Sequence, residues 1–364
     1  MRAFVEVNLN AIANNIKLVK SKTPAQILAV VKADAYGHGL IPVAKCAIDA
    51  GATWLGVALL EEAILLREAG IKAPIISWLT PPSSDFKKAI ELDIDLAIPS
   101  LKHLELIVAA GKALGKKPRV HIEVDTGMTR GGLLGEWSEF LIAASGAEID
   151  VVGFWSHFAR ADEPDEIANQ NQMQDFERKL AELTATGITP KYIHLANSAA
   201  ALTNSSSHKN IIRLGIAMYG LSPDVKTLGT SQTLELEPAM TLKAEIHLVK
   251  RVPAGSPVGY GGTQITSRDT KLAIITMGYA DGIPRNSDST VGVFADGRKA
   301  AIIGRVSMDQ FVVDLGADSN AVAGEIVEVF GAKGYSIDDW AAASRTINYE
   351  IVTRIASRVP RIYA

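Results

Sequence analysis

The sequence predicts an α/β protein in which an N-terminal (β/α)8 barrel is followed by a mostly antiparallel β domain. Between residues 27 and 216, eight short apolar runs alternate with longer helical segments. This spacing is what parallel strands joined by helical crossovers require. After residue 230 the pattern changes to alternating polar and apolar residues broken by turn signals, which is typical of antiparallel strands.

The eight apolar runs of the first half are each the length of one buried strand. Eight strand and helix repeats favour a barrel. The alternative, an open doubly wound sheet, is disfavoured because no G-x-G-x-x-G follows the first run and no G-x-x-x-x-G-K-[ST] occurs. The runs are ILAVVK, WLGVALL, APIISWL, DLAIPS, RVHIEVD, VVGFWSH, KYIHLAN and IIRLGIAM, and the segments predicted as helices between them include 42–50, 61–69, 101–114 and 170–184.

The second half contains five alternating runs, and Asp296-Gly297 between two of them predicts a hairpin turn. The domain boundaries predicted from this change are 9–230 for the barrel and 231–364 for the β domain. The alternating start of the chain, MRAFVEVNLN, predicts a strand over residues 1–8 that joins the β domain.

Composition excludes several classes of protein. The chain has 364 residues, 48% of them apolar, and a formal net charge of −3 without a basic block. This argues against nucleic acid as a partner. No run reaches the ~18 apolar residues of a membrane span and no secretion signal is evident, so we expect a cytoplasmic protein. The single cysteine, Cys46, excludes an internal disulfide.

Polar residues that follow the apolar runs are the candidates for chemistry, because the active sites of barrels lie at the carboxyl ends of the strands. Lys32 follows the first run, and an amine at this position favours Schiff-base chemistry if its pKa is depressed. Loops after the seventh and eighth strands commonly hold phosphate, and Ser198 with the amides of Gly215 and Ile216 fits that role. The other candidates are Asp125, Thr126, Arg130, His157, Asn197 and Arg213.

At these residues the chain resembles the alanine racemase family. The stretch AVVKADAYGHG around Lys32 resembles the family's cofactor-lysine motif. The resemblance extends over nearly the whole chain and includes HIEVDTGMTR, SHFARADE, HLANSAA, IRLGIAMYGL, VGYGGT, GYADGIPR, GRVSMDQ and SRVPRIY.

The resemblance implies a pyridoxal-phosphate-dependent isomerase that interconverts L-alanine and D-alanine. Lys32 would carry the cofactor, and Lys32 and Tyr260 would act as acid and base on opposite faces of the α-carbon. A second group is needed because a proton removed from one face must be returned to the other. A residue matching His157 supports the phenolate of the tyrosine.

Further roles follow from the same resemblance. Arg213 would face the pyridine nitrogen of the cofactor and keep it unprotonated, because arginine donates but does not accept hydrogen bonds. His194 would orient this arginine. The phosphate would be held by Tyr36, Ser198, Gly215 and Ile216, and the substrate carboxylate by Arg130 and the amide of Met308, next to Asp309.

The family works as a homodimer in which each β domain supplies the tyrosine and the methionine to the barrel of the other subunit. Tyr260 and Met308 would then act across the interface. No metal is implied. The role in the cell, in cell-wall precursor supply or in alanine catabolism, stays open.

The sequence departs from the family at two positions. Glu123 stands where many members carry a carbamylated lysine, and we hypothesise that this anion replaces the carbamate by pairing with Arg130. Ser357 stands where many relatives place a tyrosine. The shorter side chain removes one phosphate contact and leaves room for serine as a second substrate.

Two other functions are compatible with part of this pattern. Amino-acid decarboxylases share this architecture, but they normally place an acidic residue at the pyridine nitrogen, where this chain has Arg213. A non-catalytic pyridoxal-phosphate-binding protein would resemble the barrel alone, whereas here the β domain with Tyr260 and Met308 is also present.

Overall fold

The computed structural model describes residues 1–364 and divides into two compact units. The barrel unit comprises Ala11–Ala35 and Leu40–Glu237. The β unit comprises Met1–Asn10, Tyr36–Gly39 and Pro238–Ala364. The chain therefore enters the β unit twice before residue 238, once at its start and once directly after the segment that carries Lys32.

The strands follow the predicted change in sequence pattern, from short buried runs to longer runs of alternating polar and apolar residues. In chain order they are β1 Ala3–Val7, β2 Gln26–Val30, β3 Trp54–Val57, β4 Ile75–Ser77, β5 Asp95–Ile98, β6 Arg119–Glu123, β7 Asp150–Trp155, β8 Tyr192–His194, β9 Ile211–Leu214, β10 Met240–Val252, β11 Pro257–Val258, β12 Gln264–Ile265, β13 Thr270–Ile275, β14 Gly292–Ala295, β15 Arg298–Ile302, β16 Phe311–Asp314, β17 Ile326–Phe330 and β18 Arg361–Tyr363.

The helical segments lie mainly in the barrel unit. They are α1 Leu9–Ser21, α2 Lys32–Tyr36, α3 Leu40–Asp49, α4 Leu60–Glu68, α5 Phe86–Glu91, α6 Leu101–Leu114, α7 Trp137–Ser145, α8 Ile167–Ala185, α9 Ser198–Thr203, α10 Val225–Leu228, α11 Ile337–Ala343 and α12 Asn348–Thr353, with 3-10 turns at Ser205–Ser207, Ile216–Tyr219, Tyr260–Gly262 and Tyr279–Asp281.

The barrel unit is built on one parallel sheet of eight strands in the order β8-β7-β6-β5-β4-β3-β2-β9. The last strand, β9, pairs in parallel with the first, β2, so the sheet curls back on itself. All eight predicted runs form strands, and the predicted parallel barrel-type fold is confirmed. Strands β3, β4 and β5 are buried along their whole length, because helices cover one face and the packed interior covers the other.

The predicted helices of the barrel are confirmed as α3, α4, α6 and α8. Helix α6 shows why the sequence is a good guide here. The Ser100 hydroxyl accepts a hydrogen bond from the His103 amide at the amino end, and Gly115 adopts a left-handed φ of 62° at the carboxyl end. A capping serine is a common start signal and a left-handed glycine a common stop signal of helices. Helix α1, before the first barrel strand, was not among the predicted helices.

The β unit contains a sheet of eight strands that is antiparallel except for one pair, and a separate two-stranded sheet of β11 and β12. Its centre is β10, which pairs with β1, β13 and β17, all antiparallel. The exception is β1, which lies parallel to β18. The predicted hairpin joins β14 and β15, and Asp296 and Gly297 both have positive φ, which matches a type I′ turn. The mostly antiparallel second domain is therefore confirmed.

No helix of the chain combines the length and the apolar composition that crossing a lipid bilayer demands.

Candidate active site

Lys32 lies directly after β2, and the backbone that follows it is strained. Residues 33–36 all have φ between 52° and 54°. Four successive residues other than glycine are thus left-handed, at a cost of about 1–2 kcal/mol for each. The turn is tied by a hydrogen bond from the Ala35 amide to the Val31 carbonyl, 2.9 Å, and by one from the Leu40 amide to Oδ1 of Asp34, 2.8 Å.

Glu62, on α4, fixes the beginning of this turn. Its Oε1 accepts a hydrogen bond from the Ala33 amide, 2.5 Å. Its Oε2 accepts from the amides of Ala58 and Leu59, at 3.2 and 3.0 Å. One carboxylate therefore joins the loop after β3 to the residue beside Lys32.

The amine of Lys32 has a lowered pKa because the side chain is largely buried and because the positive charge of Arg130 acts on it, while Glu62 opposes the shift. Its Nζ lies 6.0 Å from the centre of the Trp78 ring. A lysine that must react as a nucleophile needs the neutral amine. The environment therefore favours that form.

Arg213, on β9, is 5% exposed and holds its charge inside the barrel. Nη1 donates to the carbonyl of His194, 2.9 Å, and approaches Nδ1 of the same residue at 3.2 Å. Nη2 donates to the carbonyls of Ser156 and Leu195, at 2.8 and 3.0 Å, and approaches Nδ1 of His157 at 3.1 Å. Burial lowers the pKa of Arg213 to about 9, so the guanidinium stays charged at neutral pH.

The two histidines beside Arg213 are held neutral. The pKa values of His157 and His194 lie well below their usual range, because both rings are buried and both face the charge of Arg213. Arginine can only donate, so Nδ1 of each ring accepts and the proton of each ring lies on Nε2. His194 also stacks on Trp155, with a ring separation of 5.7 Å.

The loop after β6, which carries Arg130, is ordered by Asp125. Its Oδ1 accepts hydrogen bonds from the amides of Gly127, Met128 and Thr129, at 2.8, 3.1 and 3.1 Å. Three donors on one oxygen fold the loop tightly. Arg130 itself is exposed at the end of it.

A buried lysine of α8 anchors the same loop from below. Nζ of Lys179 donates to the carbonyl of Asp125 at 2.6 Å and pairs with the carboxylate of Asp175 at 3.3 Å. The Lys179 side chain is 3% exposed. Its charge is thus compensated inside the protein, as a buried charge requires.

Gln172, also on α8, joins the loops after β6 and β7. Its Nε2 donates to Oγ1 of Thr126, 3.1 Å, and to the carbonyl of His157, 2.9 Å. Its Oε1 accepts from the amide of Ala159, 2.9 Å. The position of His157 is therefore set by α8 as well as by Arg213.

Glu123 differs from the permanent anion that the sequence suggested. Burial raises its pKa to about 7, although the charges of Arg213 and Arg130 oppose the shift. The carboxyl therefore titrates near neutral pH instead of being a permanent anion. Arg130 acts on it through space, without a hydrogen bond between them, and the direct pairing predicted from the sequence stays a prediction.

Ser198, Gly215 and Ile216 come together at the carboxyl ends of β8 and β9. The Ser198 hydroxyl accepts a hydrogen bond from the Gly215 amide, 2.9 Å. Ser198 opens α9, and Ile216 opens the 3-10 turn Ile216–Tyr219. First-turn amides have no acceptor within their own helix and favour anions.

The candidate residues of the β unit lie on exposed turns. Tyr260 is 72% exposed in the turn Tyr260–Gly262, and Met308 is 54% exposed. The carbonyl of Met308 accepts from the Ala280 amide, 2.9 Å. The neighbouring Asp309 pairs with Nη2 of Arg358 at 2.7 Å, and Arg358 also pairs with the buried Asp281 at 2.7 Å.

Tyr36 also belongs to the β unit. It is buried, and burial raises the pKa of its phenol. Its ring lies 6.2 Å from that of Tyr349, and its carbonyl accepts from Nδ1 of His38 at 2.9 Å.

Lys32, Arg130 and His157 follow β2, β6 and β7, and Arg213 lies within β9, in the chain order that the sequence predicted. Sequence reasoning missed three residues that support them, Glu62, Gln172 and Lys179. A signal for two of these exists. The buried positions of α8 recur at helical spacing and yet include polar residues: Asn169, Gln172, Phe176, Lys179 and Leu183. Glutamine and lysine on a buried stripe indicate specific partners.

Known proteins match the chain over its whole length. The family model described as the alanine racemase N-terminal domain matches residues 7–223, and that of the C-terminal domain matches residues 239–363. An alanine racemase of Salinispora tropica is 45% identical over 371 residues, which cover 100% of this chain and 98% of the relative.

Solved structures agree with these matches. The alanine racemase of D-cycloserine-producing Streptomyces lavendulae superposes with a TM-score of 0.98 at 43% identity, covering 100% of this chain and 97% of the other. The alanine racemase of Bacillus anthracis with bound L-Ala-P gives 0.92 at 38% identity, covering 100% and 95%. With both domains matched and a relative 45% identical over the whole chain, the chain belongs to the alanine racemase family.

Proposed function

We propose that this protein binds pyridoxal phosphate through Lys32 and interconverts L-alanine and D-alanine. The observation that carries the proposal is the burial of Arg213 with five acceptor atoms within 3.2 Å of its terminal nitrogens, enough to engage all four of their N–H groups. These bonds leave Nε–H as the donor for the ring nitrogen of the cofactor. A donor-only group at that position keeps the ring nitrogen unprotonated.

The residues present fit the cofactor. The lowered pKa of Lys32 suits an amine that condenses with an aldehyde, and Ser198, Gly215 and Ile216 form a group of donors suited to a phosphate. Tyr36 is the proposed fourth phosphate contact. When bound, pyridoxal phosphate supplies an aldehyde for the amine and an electron sink that acidifies the α-hydrogen.

Racemisation requires a proton to leave one face of the α-carbon and another to arrive at the opposite face. We assign these transfers to Nζ of Lys32 and the phenol oxygen of Tyr260. Arg130 and the Met308 amide are proposed to bind the substrate carboxylate. Glu123, whose pKa is affected by the charges of Arg130 and Arg213, is proposed to orient Arg130. Asp309, which pairs with Arg358, is proposed to orient the turn that carries Met308.

We propose that Tyr260 reaches the Lys32 site of a second copy of the chain in a homodimer. Its high exposure in one chain, together with that of Met308, supports this arrangement. The Nε2–H of His157, whose direction is set by Arg213, is the proposed donor to the phenolate. A phenolate has to be stabilised by such donors because the ordinary pKa of tyrosine is about 10.

The test of the reaction is chiral analysis of L-alanine after incubation with the purified, pyridoxal-phosphate-loaded protein. D-Alanine is expected from the native chain, with a loss of at least ~10³-fold in Lys32→Ala and in Tyr260→Phe. A bound cofactor without inversion would favour a decarboxylase, if carbon dioxide is released, or a binding protein, if it is not.

The dimer has a separate test. Lys32→Ala and Tyr260→Phe are each expected to be inactive, but a hybrid dimer of the two holds one intact site. Coexpression of the two chains should therefore restore about a quarter of the native activity, since half of the dimers are hybrid under random pairing. Absence of any restoration would show that Lys32 and Tyr260 act within one chain.

Serine is the proposed second substrate, because Ser357 is short and exposed where many relatives place a tyrosine. The comparison is the ratio of serine to alanine turnover in the native chain and in Ser357→Tyr. The ratio should fall in the variant, and an unchanged ratio would exclude this role for Ser357.

A further inference from the structure

Beneath Arg213, the interior of the barrel contains a continuous chain of hydrogen-bonded side chains, which we call the relay: His194, His121, Asp95 and Arg119. Nε2 of His194 lies 3.0 Å from Nδ1 of His121. Nε2 of His121 lies 3.2 Å from Oδ2 of Asp95. Nε and Nη2 of Arg119 donate to the two oxygens of Asp95 at 2.8 and 3.0 Å.

The relay runs from one end of the barrel to the other. Asp95 and Arg119 are the first residues of β5 and β6, whereas His194 is the last residue of β8. His121 and His194 are 0% exposed and Asp95 is 1% exposed. Only Arg119, whose side chain is 40% exposed, reaches the surface.

The residues packed around the two histidine rings leave just enough space for them. A Cβ atom on Gly153, which pairs with His121 across β6 and β7, would lie 1.9 Å from Nδ1 of His121. Trp54 meets the His121 ring edge-on at 5.3 Å, and Trp155 stacks on His194. Neither ring can turn without a clash in such a packed interior.

The direction of every hydrogen bond in the relay follows from its two ends. The Asp95 carboxylate only accepts, so Nε2 of His121 donates. Arg213 only donates, so Nδ1 of His194 accepts, and the proton of a neutral His194 lies on Nε2. That proton is donated to Nδ1 of His121. A cationic His121 would place two N–H groups against each other, so both rings are neutral with the proton on Nε2.

The charged state of Asp95 agrees with this direction. Although burial alone would raise its pKa, hydrogen bonds from His121 and Arg119 hold the pKa below its usual value. The carboxylate is therefore an acceptor at any working pH. A buried anion at the far end of the chain also compensates the buried charge of Arg213 through two polarised rings.

We propose that Asp95 is a positioning residue that acts on Arg213 through His121 and His194. By fixing His121 as the Nε2–H tautomer, it directs a lone pair of His121 Nδ1 at Nε2–H of His194. The His194 ring is then held with its Nδ1 toward Nη1 of Arg213, which keeps the guanidinium in one orientation. The expected effect on turnover rests on the proposed function, whereas the expected tautomers of the two histidines do not.

The direct test is nuclear magnetic resonance of the protein labelled with ¹⁵N-histidine, first without cofactor and then loaded with pyridoxal phosphate. Signals are assigned by substitution of single histidines. His121 and His194 should both show the Nε2–H tautomer. If either ring is cationic or carries its proton on Nδ1 in the native chain, the proposal is wrong, and no variant is needed to decide it.

A pair of substitutions tests transmission along the relay. Asp95→Leu removes the acceptor for Nε2 of His121 and should release His121 from the Nε2–H tautomer, which also shifts the ¹⁵N signals of its partner His194. Asp95→Asn should preserve this tautomer, because the amide oxygen can still accept from both His121 and Arg119. Arg119→Gln is the matched control at the outer end and should leave both tautomers unchanged. If the ¹⁵N signals of His194 are the same in Asp95→Leu as in the native chain, Asp95 does not act on Arg213.

The functional test uses the same variants with cofactor. Asp95→Leu should lower kcat and weaken the binding of pyridoxal phosphate by roughly tenfold each, the size typical of residues that orient a ligating histidine. Asp95→Asn should stay close to native, with KM for alanine little changed in both. Equal losses in the two variants would indicate a merely structural role. If the native chain does not racemise alanine, the proposed function fails, while the tautomers still decide the relay.

Discussion

Nη2 of Arg213 lies 3.1 Å from Nδ1 of His157, and this single contact decides what His157 can do. A guanidinium cannot accept a hydrogen bond, so His157 uses Nδ1 as an acceptor and keeps its proton on Nε2. The ring is then a neutral donor toward the open side of the site, and it is not a proton carrier that switches charge during turnover.

The neutral state of His157 predicts a dependence of stability on pH. Its folded pKa is well below the ordinary value, whereas the unfolded chain takes up a proton near pH 6.5. The unfolded state therefore binds more protons below pH 6.5, and the free energy of unfolding falls as the pH falls, by about 1.4 kcal/mol per pH unit for such a histidine. The contribution is fully present above pH 6.5.

His157→Gln should remove this part of the slope in urea unfolding between pH 6 and pH 5. The exposed His247 gives the control, since His247→Gln should leave the slope unchanged. An unaltered slope in His157→Gln would mean that His157 is protonated in the folded protein, and the direction of its hydrogen bond with Arg213 would have to be abandoned.

Arg130 predicts a change in the reactivity of Lys32. Its positive charge is one of the causes that lower the pKa of the amine. In Arg130→Gln the pKa of Lys32 should rise, so the cofactor-free protein should condense with pyridoxal phosphate at a half-maximal rate only at higher pH. The pH dependence of the condensation rate, followed by absorbance, checks this. Arg160→Gln, at an exposed arginine on the next loop, should show the native pH dependence.

How far the sequence was a sufficient guide depends on the kind of feature. The barrel strands were predictable because each is a short apolar run, such as ILAVV before Lys32. The left-handed turn at residues 33–36 was not, since alanine, aspartate and tyrosine rarely take this conformation and no glycine marks it. Besides local hydrogen bonds, tertiary contacts such as that of Glu62 with Ala33 hold it.

The residues of the site also fall into those that the sequence could predict and those that it could not. Residues at strand ends were predictable from topology, whereas their supports come from distant parts of the chain. Lys179 reaches the loop after β6 from a helix 54 residues later, and no local pattern encodes that contact. The alternation of Arg119, His121 and Glu123 on one face of β6 was a visible signal of a polar barrel interior, and it was not used.

The contacts of Lys179 predict that removing its amine weakens substrate binding more than it slows the chemical step. Lys179→Met removes the donor to the Asp125 carbonyl and leaves the loop that carries Arg130 without its anchor. We expect KM for alanine to rise several-fold with a smaller change in kcat, and the free energy of unfolding to fall by about 2–4 kcal/mol. Steady-state kinetics and urea unfolding check the two parts. Lys112→Met, at an exposed position of α6, should change neither, and an unchanged KM in Lys179→Met would show that the loop is held by Asp125 alone.

Glu123 predicts a stability effect of the opposite sign to that of the histidines. Its folded pKa is raised from 4.5 to about 7 by burial, so the folded state binds more protons than the unfolded state between these values. The stability this provides is fully present below pH 4.5 and is lost as the pH rises through 7. A glutamine at this position is neutral at every pH, so the variant keeps this stabilisation at high pH. Glu123→Gln should therefore match the native chain at pH 4.5 and exceed its free energy of unfolding at pH 8.5 by about 3 kcal/mol.

Urea unfolding of the cofactor-free protein at the two pH values measures the difference, with Glu148→Gln at an exposed glutamate as the control that should follow the native chain at both. A gain of equal size at pH 4.5 and pH 8.5 would place its origin in packing and not in the charge of Glu123. The same variant also tests the function proposed for this carboxyl. If Glu123 orients Arg130, the affinity for alanine falls in Glu123→Gln while stability at high pH rises, and a variant that gains stability without losing affinity would leave Arg130 to bind the carboxylate unaided.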